Sequence, residues 1–72
     1  MEYVLITLNV SGRDEDLRVP ALIAAGELVD VFNELYEASG AMLHCEPKGI
    51  ILDTGKTLAE QGVGHGARLT LR

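Results

Sequence analysis

His44 and Cys45 are adjacent, and with His65 they are the residues of greatest chemical reach in this sequence. A thiol beside an imidazole can be a nucleophile with its base, or two ligands of one metal. The run Met42 to Glu46 reads as a strand, however, and strand neighbours point to opposite faces. There they can neither share a proton nor chelate one ion, so Cys45 reads as a small buried hydrophobe. His65 lies in a glycine-rich turn, but zinc takes three or four protein ligands and the sequence offers too few. The run Gly62-Val63-Gly64-His65-Gly66 has the glycine content of a phosphate cradle. A dinucleotide loop needs a strand before it and a helix after it, and here a strand follows. Asp14-Glu15-Asp16 lacks the ligand spacing of a calcium loop and reads as a solvated turn. No acid–base pair and no activated nucleophile can be assembled. The expectation is a non-enzymatic binding domain without cofactor or metal.

Composition narrows what it binds. Seventy-two residues, 47% of them hydrophobic, make a single domain over residues 1–72. A core of this size supplies a net stability of roughly 3–5 kcal/mol, so few polar groups can be hidden without partners. Net charge is −5, from eleven acids against six bases. Nucleic acid and anionic membrane both repel such a surface, which leaves protein partners. No apolar run approaches the ~20 residues of a membrane span. The N-terminus MEYVLITLNV has neither a basic leader nor a small-residue cleavage site. A lone cysteine excludes an internal disulfide and fits a reducing compartment, hence the cytoplasm.

The element that organises the chain is the one long helix, predicted over Ala25–Ser39. Leu28, Val31, Phe32 and Leu35 form its apolar stripe, and Gly40 stands where a left-handed cap would sit. Its start is weakly signalled: no Ser, Thr, Asp or Asn occupies the cap, and an internal Gly26 costs roughly 1 kcal/mol against alanine. Before it, Glu2–Val10 and Asp16–Val19 alternate as strands joined by the turn Ser11–Glu15, an antiparallel hairpin. Val4, Ile6, Leu8 and Val10 should face the helix, with Leu17 and Val19 beside them. Pro20 ends the second strand. Ala21–Ala24 crosses to the helix, with Leu22, Ile23 or both plugging the end of the core. After Gly40, Met42–Glu46 and Ile50–Leu52 are short strands around the turn Pro47-Lys48-Gly49. Thr57–Gln61 reads as one helical turn whose Thr57 and Glu60 form a capping box, anchored by Leu58 and Val63. Ala67–Leu71 is the last strand, with Leu69 and Leu71 inward. The most apolar strands, the first and the last, should pair at the centre. The fold class is α+β: a mixed five-stranded sheet wrapped on one main helix, the β-grasp arrangement.

Two surfaces follow. The outer sheet face should carry Tyr3, Leu5, Arg18, Met42, His44, Arg68 and Thr70, with Arg72 beyond. Exposed apolar residues rimmed by bases are what a protein-docking face looks like. The helix should carry an acidic stripe of Glu27, Asp30, Glu34 and Glu37. Like charges at that spacing oppose the helix by roughly 0.2–0.5 kcal/mol per pair, and no base on the helix relieves them. This stripe is the candidate second surface, suited to a basic partner.

The element order and spacing resemble ubiquitin. The closer similarity is to the YukD/EsaB family of small bacterial ubiquitin-like proteins. It is carried by Asp16-Leu17-Arg18-Val19-Pro20 leading into Leu28-Val29, by Thr57-Leu58-Ala59-Glu60-Gln61-Gly62-Val63, and by Gly66-Ala67-Arg68-Leu69-Thr70-Leu71. The resemblance implies a cytosolic accessory or regulatory component of a type VII (Ess/ESX/Yuk) secretion system. A related domain forms the cytosolic N-terminus of a membrane subunit of such machines. Ubiquitin-like modifiers and sulfur carriers end in a flexible Gly-Gly, and this sequence ends at Leu71-Arg72. The expectation is therefore a module that is not conjugated. The alternative is a modifier or sulfur carrier whose glycine tail is absent from this sequence.

Overall fold

A computed structural model of the chain describes residues 2–46 and 48–72. The elements are β1 (Tyr3–Val10), β2 (Arg13–Pro20), α1 (Ala25–Leu35), β3 (Leu43–Glu46), β4 (Ile50–Ile51) and β5 (Ala67–Leu71). The sheet order is β2-β1-β5-β3-β4. β1 pairs antiparallel with β2 and parallel with β5, and β3 pairs antiparallel with β5 and β4. The two most apolar strands are neighbours at the centre, as their composition implies. This is the β-grasp arrangement.

The first hairpin is tighter than expected. The turn is Ser11-Gly12 alone, with φ of 53° and 78°. Two left-handed central residues make the turn whose twist matches a hairpin. β2 therefore starts at Arg13, and Asp14, Glu15 and Asp16 are strand residues, not a solvated turn. On the inner face Val4, Ile6, Leu8 and Val10 are buried with Val19, while Leu17 is partly buried against the core.

The helix start lacks a side-chain cap, with Ala24 in the cap position. A neighbouring loop supplies what the sequence does not. Ala25 N–H donates to the Lys56 carbonyl at 2.9 Å, and Gly26 N–H to the Thr54 carbonyl at 3.0 Å. Two orphan donors of the first turn are thereby satisfied by backbone. The loop comes so close that a Cβ on Gly26 would lie 2.9 Å from the Thr54 oxygen. Gly26 is thus a close-approach glycine, which its apparent helical penalty concealed. The loop is itself held by Gln61, whose Oε1 accepts from Asp53 N–H at 2.6 Å and whose Nε2 donates to the Asp53 carbonyl at 2.9 Å.

The helix ends at Leu35, four residues before the expected Ser39. Ala38 N–H donates to the Asn33 carbonyl at 2.9 Å, and Glu37 between them has φ of 52°. That six-to-one bond over a left-handed residue is the Schellman cap, with glutamate where glycine is usual. Gly40 is not the cap. A Cβ there would lie 2.6 Å from the Leu71 side chain. Asn33 binds Gly40 twice, donating to its carbonyl and accepting from its N–H, each at 2.8 Å.

The buried helix stripe is Ala25, Leu28, Val29 and Phe32, not Leu28, Val31, Phe32 and Leu35. Both sets have helical spacing and share Leu28 and Phe32. The observed stripe continues to Tyr36, which packs on the core with its ring centroid 6.2 Å from that of Phe32. Val31 and Leu35 are left 47% and 64% exposed. Leu22 is exposed, and Ile23 alone packs on the end of the core.

On the far side Leu43 and Cys45 are buried, and Leu52, Leu58 and Val63 complete the core. Of the turn expected at Pro47-Lys48-Gly49, Pro47 lies outside the described residues. Gly49, at φ of 67°, donates to the Cys45 carbonyl at 2.8 Å. The capping box forms: Thr57 N–H donates to Glu60 Oε1 at 2.9 Å and Glu60 N–H to Thr57 Oγ1 at 3.1 Å. The backbone that follows makes tight turns closed over three residues rather than a regular helix.

Candidate functional site

The outer sheet face is built by strand alternation. From β2 come Asp14, Asp16 and Arg18, and from β1 Tyr3, Leu5, Thr7 and Asn9. β5 gives Arg68 and Thr70, β3 His44 and Glu46, and β4 Ile51. The register sets Leu5 opposite Arg18, Thr7 opposite Asp16 and Arg68, and His44 opposite Thr70 and Ile51. Six of the seven sheet residues named from the sequence lie on this side, and Met42 precedes β3, which begins at Leu43 and not at Met42; the six do not form one apolar patch. A polar bar crosses the middle. Thr7 Oγ1 donates to Asp16 at 2.9 Å, Asn9 Nδ2 to Asp14 at 2.8 Å, and Arg68 to Asp14 at 2.8 Å. The Asn9 amide, then Arg68, hold the Asp14 carboxyl below the usual carboxylate range.

Apolar residues lie at the two ends of this bar. At one end Tyr3 and Leu5 are 41% and 55% exposed, and the Arg18 guanidinium lies over the Tyr3 ring at 4.8 Å. Beside Leu5 is a hollow of about 410 Å³ bounded by Thr7, Asp16, Leu17 and His65. Its wall is fixed through the backbone. Leu5 N–H donates to His65 Nδ1 at 3.0 Å, and the Leu5 carbonyl accepts from Gly66 N–H at 2.8 Å. At the other end Met42 and Ile51 are exposed around a partly buried His44.

Sequence reasoning weighed His65 only as a metal ligand and placed neither it nor Ile51 at this face. His65 belongs to a turn, where no period assigns a face. Ile51 lies in the uniform run Ile50-Ile51-Leu52, of which only Leu52 is buried. The apolar run gave no alternation to read.

The second candidate surface is partly reshaped. Glu27, Asp30 and Glu34 are exposed on α1, while Glu37 lies beyond the helix end. Between the acids stand Val31 and Leu35, which the core does not use. The helix carries no base in its last turn.

Cys45 faces the core, where burial pushes its thiol up, away from the thiolate a nucleophile needs. His44 projects from the opposite face. Among the described residues, no three of His, Cys, Asp and Glu stand close enough to hold a metal ion. Among the described residues, no helix is long and apolar enough to cross a membrane either.

The sequence model for the WXG100 protein secretion system (Wss) protein YukD matches residues 3–71. The chain belongs to the YukD family. No curated protein matches it by sequence. In structure, this YukD-family domain is similar to the ubiquitin-like domain of an Arabidopsis thaliana protein. The TM-score is 0.83 at 16% identity, over 100% of this chain and 78% of that one. It is similar to the EccD5 ubiquitin-like domain from Mycobacterium xenopi, with TM-score 0.70 and 17% identity over 100% of this chain and 94% of that one. It is also similar to Caldiarchaeum subterraneum ubiquitin, with TM-score 0.73 and 20% identity over 99% of this chain and 95% of that one. At these identities the likeness is one of fold. The chain is a ubiquitin-like module of the YukD secretion family.

Proposed function

We propose that this chain is a cytoplasmic accessory or regulatory component of a type VII secretion system that works by docking, not by conjugation or catalysis. Its docking surface is the outer sheet face, seated on a secretion-machinery protein. The observation that carries this is the exposure of Tyr3 and Leu5 at one end of the face and Met42 and Ile51 at the other. Nothing in the core requires these side chains to stand in water. The hydrogen-bonded polar bar between them fixes orientation, and the apolar ends supply affinity, as anchors do in protein interfaces.

The test is Leu5→Glu and Ile51→Glu, singly and together, in a co-purification from cells that carry the secretion locus. Each variant should keep its circular dichroism and melting temperature, since both positions are exposed. Each should lose about tenfold or more in partner recovery, the loss of one anchor worth ~1.4 kcal/mol. Unchanged recovery in the folded double variant would remove the sheet face as the site. The same immunoblot should show one band for the chain. A ladder of higher-mass adducts would support a modifier instead.

A further inference from the structure

We propose that the outer surface of α1, from Glu27 to Glu37, is a second docking site, and that its occupant is a basic amphipathic helix of a partner protein. Val31 and Leu35 form an exposed apolar ridge one helical turn apart, and Leu28 and Phe32 fill the core without them. Such an i,i+4 ridge is the feature one helix offers another for packing. It runs along a shallow, open stretch of surface formed by Val31, Glu34 and Leu35. The same Glu34 and Leu35 line a hollow of about 440 Å³ between the helix end and the β1–β2 hairpin.

Charge identifies what covers this ridge. Glu27, Asp30 and Glu34 line one flank of it and Glu37 follows its end, and Glu34 and Glu37 sit at the end of α1 where the helix dipole is already negative. No base in the last helical turn answers them. Arg13, at the far wall of the hollow, is paired with Glu15 at 3.3 Å. Lysines or arginines along one edge of an incoming helix would meet the acids along the flank of this ridge. A second copy of this chain would set acids against acids across a two-fold axis. Anionic lipid and nucleic acid would be repelled. The site lies across the core from the outer sheet face, so two partners can be held at once.

The test is an amide-shift titration of the full isotope-labelled chain, at low salt, with a synthetic helix of about 14 leucine and lysine residues. Shifts should concentrate over residues 27–37 and at the hairpin, Ser11 to Arg13. A version with glutamate for lysine should not bind. The double variant Val31→Ser/Leu35→Ser keeps every charge and leaves the core untouched. It should weaken binding about tenfold, ~1.4 kcal/mol. Undiminished binding there would mean mere polycation attraction and would overturn the proposal. So would shifts centred on Leu5 or Ile51, which would place the peptide on the sheet face. Concentration-dependent broadening of helix amides without peptide would assign the ridge to self-association and overturn it likewise.

Discussion

Gly26→Ala separates local propensity from tertiary structure, because the two predict opposite signs. In an isolated helix, alanine for an internal glycine stabilises by roughly 1 kcal/mol. Here the new Cβ would stand 2.9 Å from the Thr54 carbonyl oxygen and 3.1 Å from Thr54 Cβ. Relief requires the helix start and the loop to separate. That movement breaks the 3.0 Å bond from Gly26 N–H to the same carbonyl, one of the two that replace a side-chain cap. Losing the bond costs about 1 kcal/mol and forcing an extra methyl into packed backbone about 1–3 kcal/mol. Against the propensity gain, the net loss is about 1–3 kcal/mol. For a domain of this size that lowers the melting temperature by about 5–25 °C. Thermal and urea unfolding followed by circular dichroism would measure it. Gly64→Ala is the control: nothing lies within 4 Å of a Cβ there. It should be neutral, or stabilising by up to about 1 kcal/mol, through the unfolded chain. A Gly26→Ala protein as stable as the parent would refute the loop-capped helix.

Three further outcomes follow from the same structure. Asn33→Ala removes both bonds to Gly40 and should cost about 1–2 kcal/mol after the small helix-propensity gain, with faster hydrogen exchange at the Gly40 amide as the local readout. Glu37→Gly relieves a left-handed glutamate and an acid at the negative helix end, and should stabilise by about 0.5–1 kcal/mol in urea unfolding; a loss would disprove the Schellman cap. The carboxyls of Glu60, through the Thr57 backbone bond, and of Asp14, through Asn9, titrate below the usual range in the folded state. Their stabilisation is complete above the ordinary carboxylate values and is lost as pH falls through the lower folded values. Asp14→Asn/Glu60→Gln should therefore flatten the urea midpoint against pH from about pH 5 downward, and an unchanged slope would sink the assignment.

The order of elements was legible because strand alternation is unambiguous in Val4, Ile6, Leu8 and Val10 and again in Leu69 and Leu71. The capping box at Thr57 and Glu60 was legible because its signal is local. The helix phase was not. Ala25, Leu28, Val29, Phe32 and the set Leu28, Val31, Phe32, Leu35 fit the same period, and only contact with Tyr36 and the 54–56 loop selects between them. Gly26 and Gly40 misled for one reason: a glycine that admits a neighbouring strand or loop looks, in sequence, like one that breaks or ends a helix. The sheet face was legible residue by residue but not as a surface. Alternation assigns a side chain to a side, whereas the register decides that Asp14 meets Asn9 and Arg68 and so divides the apolar residues into two ends.

That division changes what Arg68 does. Read from the strand alone, it is a rim cation awaiting an acidic partner. In the fold it is committed to Asp14 and stands opposite Glu46 in the β3–β5 register. An exposed pair of this kind contributes at most about 1 kcal/mol to stability. Its greater consequence is electrostatic. The sheet face presents Arg18 and Arg68 interleaved with Asp14, Asp16 and Glu46, nearly balanced, while every charged residue of α1 is acidic. A charged partner approaching the module is therefore steered by the helix side and largely unsteered by the sheet side. Raising salt should slow association at the helix ridge and leave the apolar ends of the sheet face almost unaffected, so the two surfaces can be told apart by rate even when both are occupied.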